Sequence, residues 1–204
     1  MRRLLVCLLV WAAVSAQSVQ AKPGCSVAYG ENWAFAFATP ANWSSLCGAE
    51  ELAGAPVALW PVGSTFAAAS AVMYINAADK SEPSLRAFVQ FSQALFREQA
   101  PDVIFSPATT LLQAKVPMLQ FQATGDPGGN TERIAYVEGP NAYFLLVLSA
   151  RTKESLYTAE PAFIQLLQSF SPMSAKSAKK ANPAIKRTTS GMPRLPPAAA
   201  HVER

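Results

Sequence analysis

The pattern of hydrophobic and polar residues is most regular between Thr131 and Phe170, and there it predicts a strand, a turn, a second strand and a helix. Residues 133–138 alternate as a half-buried strand does, and residues 139–141 form a Gly-Pro-Asn turn. Residues 143–148 are apolar without interruption, which is typical of a strand covered on both faces. We therefore expect residues 143–148 near the middle of a sheet, with helices above and below.

The last helix is predicted from one apolar face that follows this strand. Four apolar side chains fall at spacings i, i+3, i+4 and i+7: Phe163, Leu166, Leu167 and Phe170. Pro161 would interrupt a helix interior but suits a first turn. The pattern thus predicts a short helical turn over residues 153–157 and a main helix over about residues 160–169, which Pro172 ends.

Three strands and a corner are predicted before residue 80. Residues 31–39 alternate strictly, so that aromatic side chains face a core and alanines face away. Residues 40–43 then make a proline corner in which Trp43 folds over the edge of the core. Residues 56–61 predict a short strand at an edge or end of the sheet, because prolines flank it. Residues 66–76 predict its longer partner, with a helix over residues 67–73 as the alternative.

An amphipathic helix is predicted after Ser81, the candidate N-cap, with Pro83 in its first turn and Pro101 just beyond its end. Its apolar face combines Leu85, Phe88, Val89, Ser92, Leu95 and Phe96. The short strands that follow are predicted over residues 102–106, 109–114 and 118–123. This order of elements predicts an α+β fold in which an antiparallel β-sheet of about six strands is packed between α-helices.

Charge and composition divide the 204-residue chain into three parts. Residues 1–21 have the pattern of a secretion signal peptide, with Ala21 as the favoured cleavage site and Ala16 as the second choice. Its apolar stretch is too short to cross a bilayer, so no transmembrane span is expected after cleavage, and an uncleaved anchor is the alternative. Residues 22–172 predict a globular domain with a net charge of −4. Residues 173–204 carry seven Lys or Arg and one Glu, and predict a disordered basic tail.

The use of cysteine agrees with export. Cys7 lies in the predicted signal peptide, which leaves Cys25 and Cys47 as a pair. A disulfide between Cys25 and Cys47 is expected in an oxidising compartment, either the periplasm or the exterior of the cell. Two separate buried thiols are the alternative.

Two stretches resemble the PsbP-like domains. Residues 35–43, with the sequence FAFATPANW, resemble the phenylalanine, proline and tryptophan opening of that family. Residues 143–148 and the helix that ends at Ser169 and Phe170 resemble its closing strand and final helix. The fold is shared by the photosystem protein PsbP, the Ran-binding Mog proteins and bacterial domains of unknown function. The resemblance covers residues 27–172 and implies an antiparallel sheet of six or seven strands between helices, with no shared activity and no shared catalytic residues.

Few residues of the predicted domain are suited to catalysis. The sole histidine, His201, lies in the predicted tail, so a Ser-His or Cys-His pair and a histidine metal site are not expected in the domain. The sequence contains no glycine-rich phosphate loop, and we expect no cofactor, no metal and no nucleic-acid partner. Asp126, Asn130 and Glu132 are spaced closely enough to gather a calcium ion, but a plain hairpin loop is the simpler interpretation.

Three tryptophans are candidates for a ligand or partner surface: Trp33, Trp43 and Trp60. Core packing is the alternative. It is favoured for Trp33 by the alternating face on which that residue lies, and for Trp43 by the proline corner.

These observations favour an exported domain, periplasmic or secreted, that is not an enzyme and that binds or supports another component of the cell envelope. The basic tail is a candidate contact for an envelope protein or an anionic surface. A periplasmic carrier of a small ligand or metal, with its pocket between a helix and the sheet, is the alternative. A hydrolase that uses carboxylates alone is a third hypothesis.

Overall fold

The structure is a computed structural model that describes residues 25–111, 115–126 and 128–176. The predicted signal peptide, residues 1–21, lies outside the described residues, and so does most of the predicted tail. Within the described residues the chain forms eleven strands and three helices. The strands are β1 (Val27–Tyr29), β2 (Trp33–Ala36), β3 (Trp43–Cys47), β4 (Val57–Pro61), β5 (Ala71–Asp79), β6 (Ile104–Phe105), β7 (Thr109–Leu111), β8 (Met118–Thr124), β9 (Thr131–Glu138), β10 (Ala142–Ala150) and β11 (Ser171–Ser174). The helices are α1 (Glu50–Ala53), α2 (Leu85–Gln99) and α3 (Lys153–Ser169).

An eight-stranded antiparallel sheet forms the centre of the fold. Its strand order is β3-β4-β5-β10-β9-β8-β6, and β7 also pairs with β8. The predicted α+β class and the antiparallel sheet are confirmed. The sheet has more strands than the expected six, and the strand that was not predicted is β3, which adds to one edge of the sheet.

Strand β10 confirms the prediction for residues 143–148. All nine of its residues are buried, and it pairs along its whole length with β5 on one side and β9 on the other. Its side chains alternate between two cores, as the period of a strand requires. The α3-side core includes Phe144, Leu146 and Leu148, and the α2-side core includes Tyr143, Leu145 and Val147. The prediction of helices on both faces of this strand is therefore also confirmed.

Helix α2 begins three residues later than predicted. Ser84, not Ser81, is the N-cap, and its side chain accepts a hydrogen bond from the backbone N–H of Ala87 at 3.2 Å. Pro83 therefore precedes the helix instead of occupying its first turn. Ser84 is the better cap because its hydroxyl lies three residues before an N–H that has no partner within the helix. The predicted apolar face is confirmed, with Phe88, Val89 and Phe96 buried against the sheet.

Helix α3 is continuous from Lys153 to Ser169, so the predicted break at Pro161 is wrong. A proline here removes one N–H donor and leaves the carbonyl of Tyr157 without its helical partner. Both residues lie on the exposed face of the helix, where water can satisfy that carbonyl. Thr152 and Ser155 form a capping box at the start of the helix, which fixes its first turn well before the proline.

Two predictions in the first half of the chain are corrected. Strand β4 is not at an edge, because β3 pairs with its outer side; the flanking prolines fall at the ends of β4, where few hydrogen bonds are lost. The predicted corner over residues 40–43 is present, with the N–H of Trp43 donating to the carbonyl of Pro40 at 3.1 Å, and Trp43 also begins strand β3. The longer partner strand runs over Ala71–Asp79, because turns centred on Thr65 occupy residues 65–69; the alternative helix over residues 67–73 is wrong.

A separate three-stranded sheet joins the two ends of the described chain. Its order is β1-β2-β11, so the predicted strand around Trp33 pairs outside the main sheet. Strand β11 extends two residues beyond the predicted domain boundary at Pro172, and Ala175 is buried. In the sequence, Met173 and Ser174 precede a stretch rich in lysine and alanine and were therefore assigned to the tail. In the structure, strand β2 provides their backbone hydrogen bonds.

The predicted Cys25–Cys47 disulfide is confirmed. It ties the residues before β1 to the last residue of β3, across a sequence separation of 22. The backbone carbonyl of Cys25 also accepts hydrogen bonds from the hydroxyls of Thr39 and Ser45, at 3.4 Å and 3.3 Å. The small sheet is thus covalently attached to the edge strand of the large one.

Removal of β11 residues should test the corrected boundary. A chain that starts at residue 22 and ends at Lys176 should unfold in urea like the chain that ends at Arg204. A chain that ends at Pro172 should lose about 2 kcal/mol in free energy of unfolding, because it lacks half of the β11 pairing and the burial of Ala175. Equal stability of the two truncated chains would contradict the assignment of β11 to the folded domain.

Loss of the disulfide should be measurable in the same way. Cys25→Ser with Cys47→Ser should lower the free energy of unfolding by roughly 3 kcal/mol, since the bridge no longer restricts a 22-residue loop in the unfolded chain. Urea unfolding with and without reductant provides the check. Reductant should destabilise the native protein and leave the double variant unchanged; a reductant effect on both would assign the loss to another cause.

Candidate functional site

A cavity lies between helix α2 and the large sheet. Its volume is about 50 Å³. On the same measure, a cavity of about 10–15 Å³ is large enough for one water molecule. Its walls combine side chains of β5, β9, β10 and α2. A space of this size holds several waters or part of a small organic molecule.

The sheet side of the cavity has polar side chains from β5 and β9, because alternate residues of a strand point to the same face. Tyr74 and Asn76 lie on one face of β5, and Glu132 and Tyr136 lie on the same face of β9. Between them, β10 contributes apolar side chains that include Val147, which is paired with Tyr74 in register. The opposite face of these strands is filled by the α3-side core. The polar groups therefore face a single, shared space.

The roof of the cavity is the apolar face of α2. Phe88 stacks on Tyr143 with ring centroids 4.5 Å apart, which fixes the beginning of the helix against β10. Phe96 meets Phe105 edge to face at 5.5 Å and fixes its end. Between these contacts, Phe91 and Leu95 are half-buried and line the cavity. The side chains of α2 thus form one wall of the cavity and leave its interior open.

Glu132 is the most unusual side chain in this cavity. It is a carboxylic acid only 4% exposed, and it is the second residue of β9, paired with Ser149 near the end of β10. Its Oε1 accepts a hydrogen bond from the hydroxyl of Tyr74 at 3.3 Å, while its buried Oε2 accepts none. Ser149 is paired with Glu132 in register, and its hydroxyl lowers the pKa of the carboxyl as a nearby hydrogen-bonding group, but it does not reach Oε2 with the geometry of a hydrogen bond. Oε2 is therefore a buried acceptor without a hydrogen-bond partner, on a side chain that lines the cavity.

Burial controls the charge state of Glu132. Desolvation raises the pKa of its carboxyl to about 7, the hydroxyl of Ser149 opposes that shift, the charge of Asp126 adds to it, and Tyr74 opposes it. A carboxyl with this pKa changes its charge near neutral pH. The cavity therefore contains a group that is either a hydrogen-bond donor or a negative charge within the physiological range.

The two tyrosines of the cavity remain neutral donors. Burial raises the pKa of Tyr74 well above its usual value, and the charge of Glu132 raises it further. Burial also raises the pKa of Tyr136 to about 12, although a hydrogen bond with Ser92 opposes the shift. The hydroxyls of Ser92 and Tyr136 are 3.1 Å apart and join α2 to β9. Both phenols therefore position other groups by hydrogen bonding.

The three candidate tryptophans do not share one surface. Trp33 is buried in the α3-side core and stacks on Phe35 at 5.7 Å. Trp43 is partly buried and packs against the same core, whereas Trp60 packs against the α2-side core beside Phe66. None of the three lines the cavity under α2.

The sequence placed Glu132 in a different group. With Asp126 and Asn130 it was a candidate calcium ligand, but Asn130 donates to the Asp126 carboxylate within the turn while Glu132 points into the sheet core. Among the described residues, no three His, Cys, Asp or Glu side chains are gathered to hold a metal. The signal that could have identified Glu132 is its position: it is the acidic member of an alternating strand whose neighbours Ile134 and Tyr136 face a core.

In residues 25–111, 115–126 and 128–176, no helix has the length and apolar character needed to cross a bilayer.

Comparisons with known proteins recover the resemblance to PsbP-like domains. No protein-family model matches the sequence, and none of the curated proteins compared is a significant match. Among solved structures, the chain is similar to cyanobacterial PsbP of Synechocystis, at 11% identity and a TM-score of 0.45 over 72% of this chain and 93% of that one. It is also similar to LpqN of Mycobacterium tuberculosis, described as involved in cell envelope biogenesis, at 13% identity and a TM-score of 0.49 over 74% and 90%.

A third similar structure is PA94 of Pseudomonas aeruginosa, a protein of unknown function. The identity is 18% and the TM-score 0.40, over 48% of this chain and 69% of that one. Similarities at these identities and TM-scores describe the fold and give no information about activity. Function is therefore argued from the cavity alone.

Replacement of Glu132 should change how stability depends on pH. Because burial raises the pKa of Glu132 from about 4.5 to about 7, the folded state binds the proton more tightly than the unfolded state. The native protein should lose stability from this group as pH rises from about 4.5 to 7, by roughly 3 kcal/mol at 1.4 kcal/mol per pH unit. Glu132→Gln should therefore gain roughly that much relative to the native protein between pH 4 and pH 8.

Urea unfolding of the native protein and of Glu132→Gln at pH 4 and pH 8 measures this difference. Both proteins contain the other carboxyls, so the contributions of those groups cancel when the two free energies of unfolding are subtracted. Glu138→Gln, on the same strand but exposed, provides the matched control and should show a far smaller change. A difference between native protein and Glu132→Gln that does not vary with pH would refute the assigned charge state.

Proposed function

We propose that the chain is an exported, non-catalytic binding domain of the cell envelope that holds a small molecule in the cavity under α2. The observation that carries the proposal is the buried Oε2 of Glu132, an acceptor without a hydrogen-bond partner on a side chain that lines this cavity. A buried acceptor without a partner costs about 1–3 kcal/mol, and a ligand that donates to it recovers that cost. Export is supported by the signal-like pattern of residues 1–21 and by the Cys25–Cys47 disulfide.

The composition of the cavity supports a binding role. Small-molecule sites in proteins are mostly apolar, with a few convergent polar groups that orient the ligand. The α2 side of this cavity is apolar or aromatic except for Ser92 and Gln99, and the sheet side supplies Tyr74, Glu132 and Tyr136. Such walls suit a ligand with an apolar body and one polar end.

The cavity gives less support to catalysis. Glycoside hydrolysis by carboxylates needs two acids about 5–10 Å apart across the scissile bond. Among the described residues that line the cavity, Glu132 is the single carboxylic acid. A non-catalytic role therefore accounts for the lining better than the carboxylate hydrolase considered from the sequence.

A second contact, with an envelope protein or anionic surface through the basic residues 173–204, belongs to the same proposal. It rests on the charge of that segment, seven basic residues against one acidic residue. Most of the segment lies outside the described residues, so the cavity carries the argument.

The proposal is tested by native mass spectrometry of the protein taken from the cells that export it. The native chain should carry an additional small mass that is lost on denaturation. Leu95→Trp should abolish it, because Leu95 is half-buried in the cavity wall and a larger ring would occupy the space. Ala94→Trp adds the same ring at an exposed position of the same helix and should leave the bound mass in place.

A native chain without any bound mass would overturn the carrier proposal. The same conclusion would follow if Leu95→Trp retained the mass, because the ligand would then lie elsewhere. Circular dichroism and urea unfolding of both tryptophan variants establish that each is folded before the comparison is made.

A further inference from the structure

We propose that the ligand of the cavity is a small organic cation, an amine carried on an apolar chain or ring, whose ammonium group pairs with Glu132. This inference rests on the proposed function and names the chemical class that the cavity selects. It is motivated by one carboxylic acid, enclosed in the α2-side core, that lacks a positive partner.

Two basic side chains close to β9 form ion pairs with other acids. The Nζ of Lys80 lies 2.6 Å from Oε1 of Glu138, at the far end of β9. The guanidinium of Arg133 is 3.1 Å from Oε1 of Glu160, on the α3 side of the sheet. Arg133 follows Glu132 in the chain, but strand alternation sends its side chain to the opposite face. The negative charge of Glu132 is thus available to a cation that enters from the cavity.

The groups that face Glu132 favour a cation over other polar ends. Tyr74 from β5 donates to Oε1, Tyr136 lies on the same face of β9, and the charge of Asp126 is close enough to act on Glu132. From β10 the facing residue is Ser149, and from β8 it is Ala123. An anion would meet two negative charges here, whereas an ammonium group would offset one that is costly to bury.

Helix α2 adds no charge to the lining but supplies aromatic rings. Its polar contributions are the neutral side chains Ser92 and Gln99. Phe88, Phe91 and Phe96 lie along the remaining wall. The faces of aromatic rings attract cations, and their apolar surface suits the body of an amphipathic amine. The same walls give an alcohol apolar contact and one hydrogen bond, without the ionic attraction.

Three probes with the same six-carbon chain separate these contributions: hexylamine, hexan-1-ol and hexanoate. Titration calorimetry at pH 8 should give hexylamine an affinity at least about tenfold above that of hexan-1-ol, the size expected when a hydrogen bond becomes charge-assisted. Hexanoate should bind most weakly. At pH 5.5 the advantage of the amine should disappear, because a carboxyl with a pKa of about 7 is then only about 3% ionised.

Two variants identify the group responsible. Glu132→Gln should bind hexylamine and hexan-1-ol equally at pH 8, because the amide keeps the shape of the side chain and removes its charge. Glu138→Gln changes an exposed acid of the same strand and should keep the preference for the amine. Leu95→Trp should weaken the binding of all three probes, which places them in the cavity.

The possible results distinguish the two proposals. Equal binding of hexylamine and hexan-1-ol to the native protein, both lost in Leu95→Trp, would overturn the cation while leaving the carrier function intact. Binding of none of the three, together with a chain from cells that carries no small mass, would overturn both. A preference for the amine that survives in Glu132→Gln would also overturn the role assigned to this carboxyl.

Discussion

The complete burial of β10 is the constraint on which the rest of the structure depends. A strand with all nine residues buried must pair on both edges and be covered on both faces. Strands β5 and β9 provide the edges in unbroken register, and α2 and α3 provide the covers. Every other element is placed relative to this strand: β3 and β4 extend the sheet on one side, and β8 with its short partners extends it on the other.

The two cores separated by β10 are filled differently, and the site follows from that difference. On the α3 side, Phe35, Phe144 and Phe170 pack with ring centroids 5.3 to 5.5 Å apart. On the α2 side, Phe88 stacks on Tyr143 near the start of the helix and Phe96 meets Phe105 near its end. The middle of that face carries polar side chains and stays open. A cavity forms where apolar packing is replaced by groups that need hydrogen bonds.

The sequence predicts those features that a local pattern determines. Residues 143–148 and the apolar face of α2 are of this kind, whereas the disulfide was predicted because only two cysteines remain after residue 21. Pairing between distant segments is not determined locally, which is why residues 173–174 of β11 were assigned to the tail. Gly139 illustrates the difference: the turn was predicted from backbone freedom, yet no positive φ is found there. A side chain at that position would instead collide with the ring of Phe144, a contact that depends on the folded turn.

Glu132 shows why the candidate site was harder to predict than the fold. In sequence it belongs with Asp126 and Asn130, and only strand alternation assigns it to the core. An apolar residue at this position would match the buried face around it and avoid the desolvation of a carboxyl. By contrast, Glu160 is more exposed and has the guanidinium of Arg133 as its partner. The most deeply buried acid of the described residues thus has no ion-pair partner, and the cavity beside it is the place where a positively charged ligand can enter.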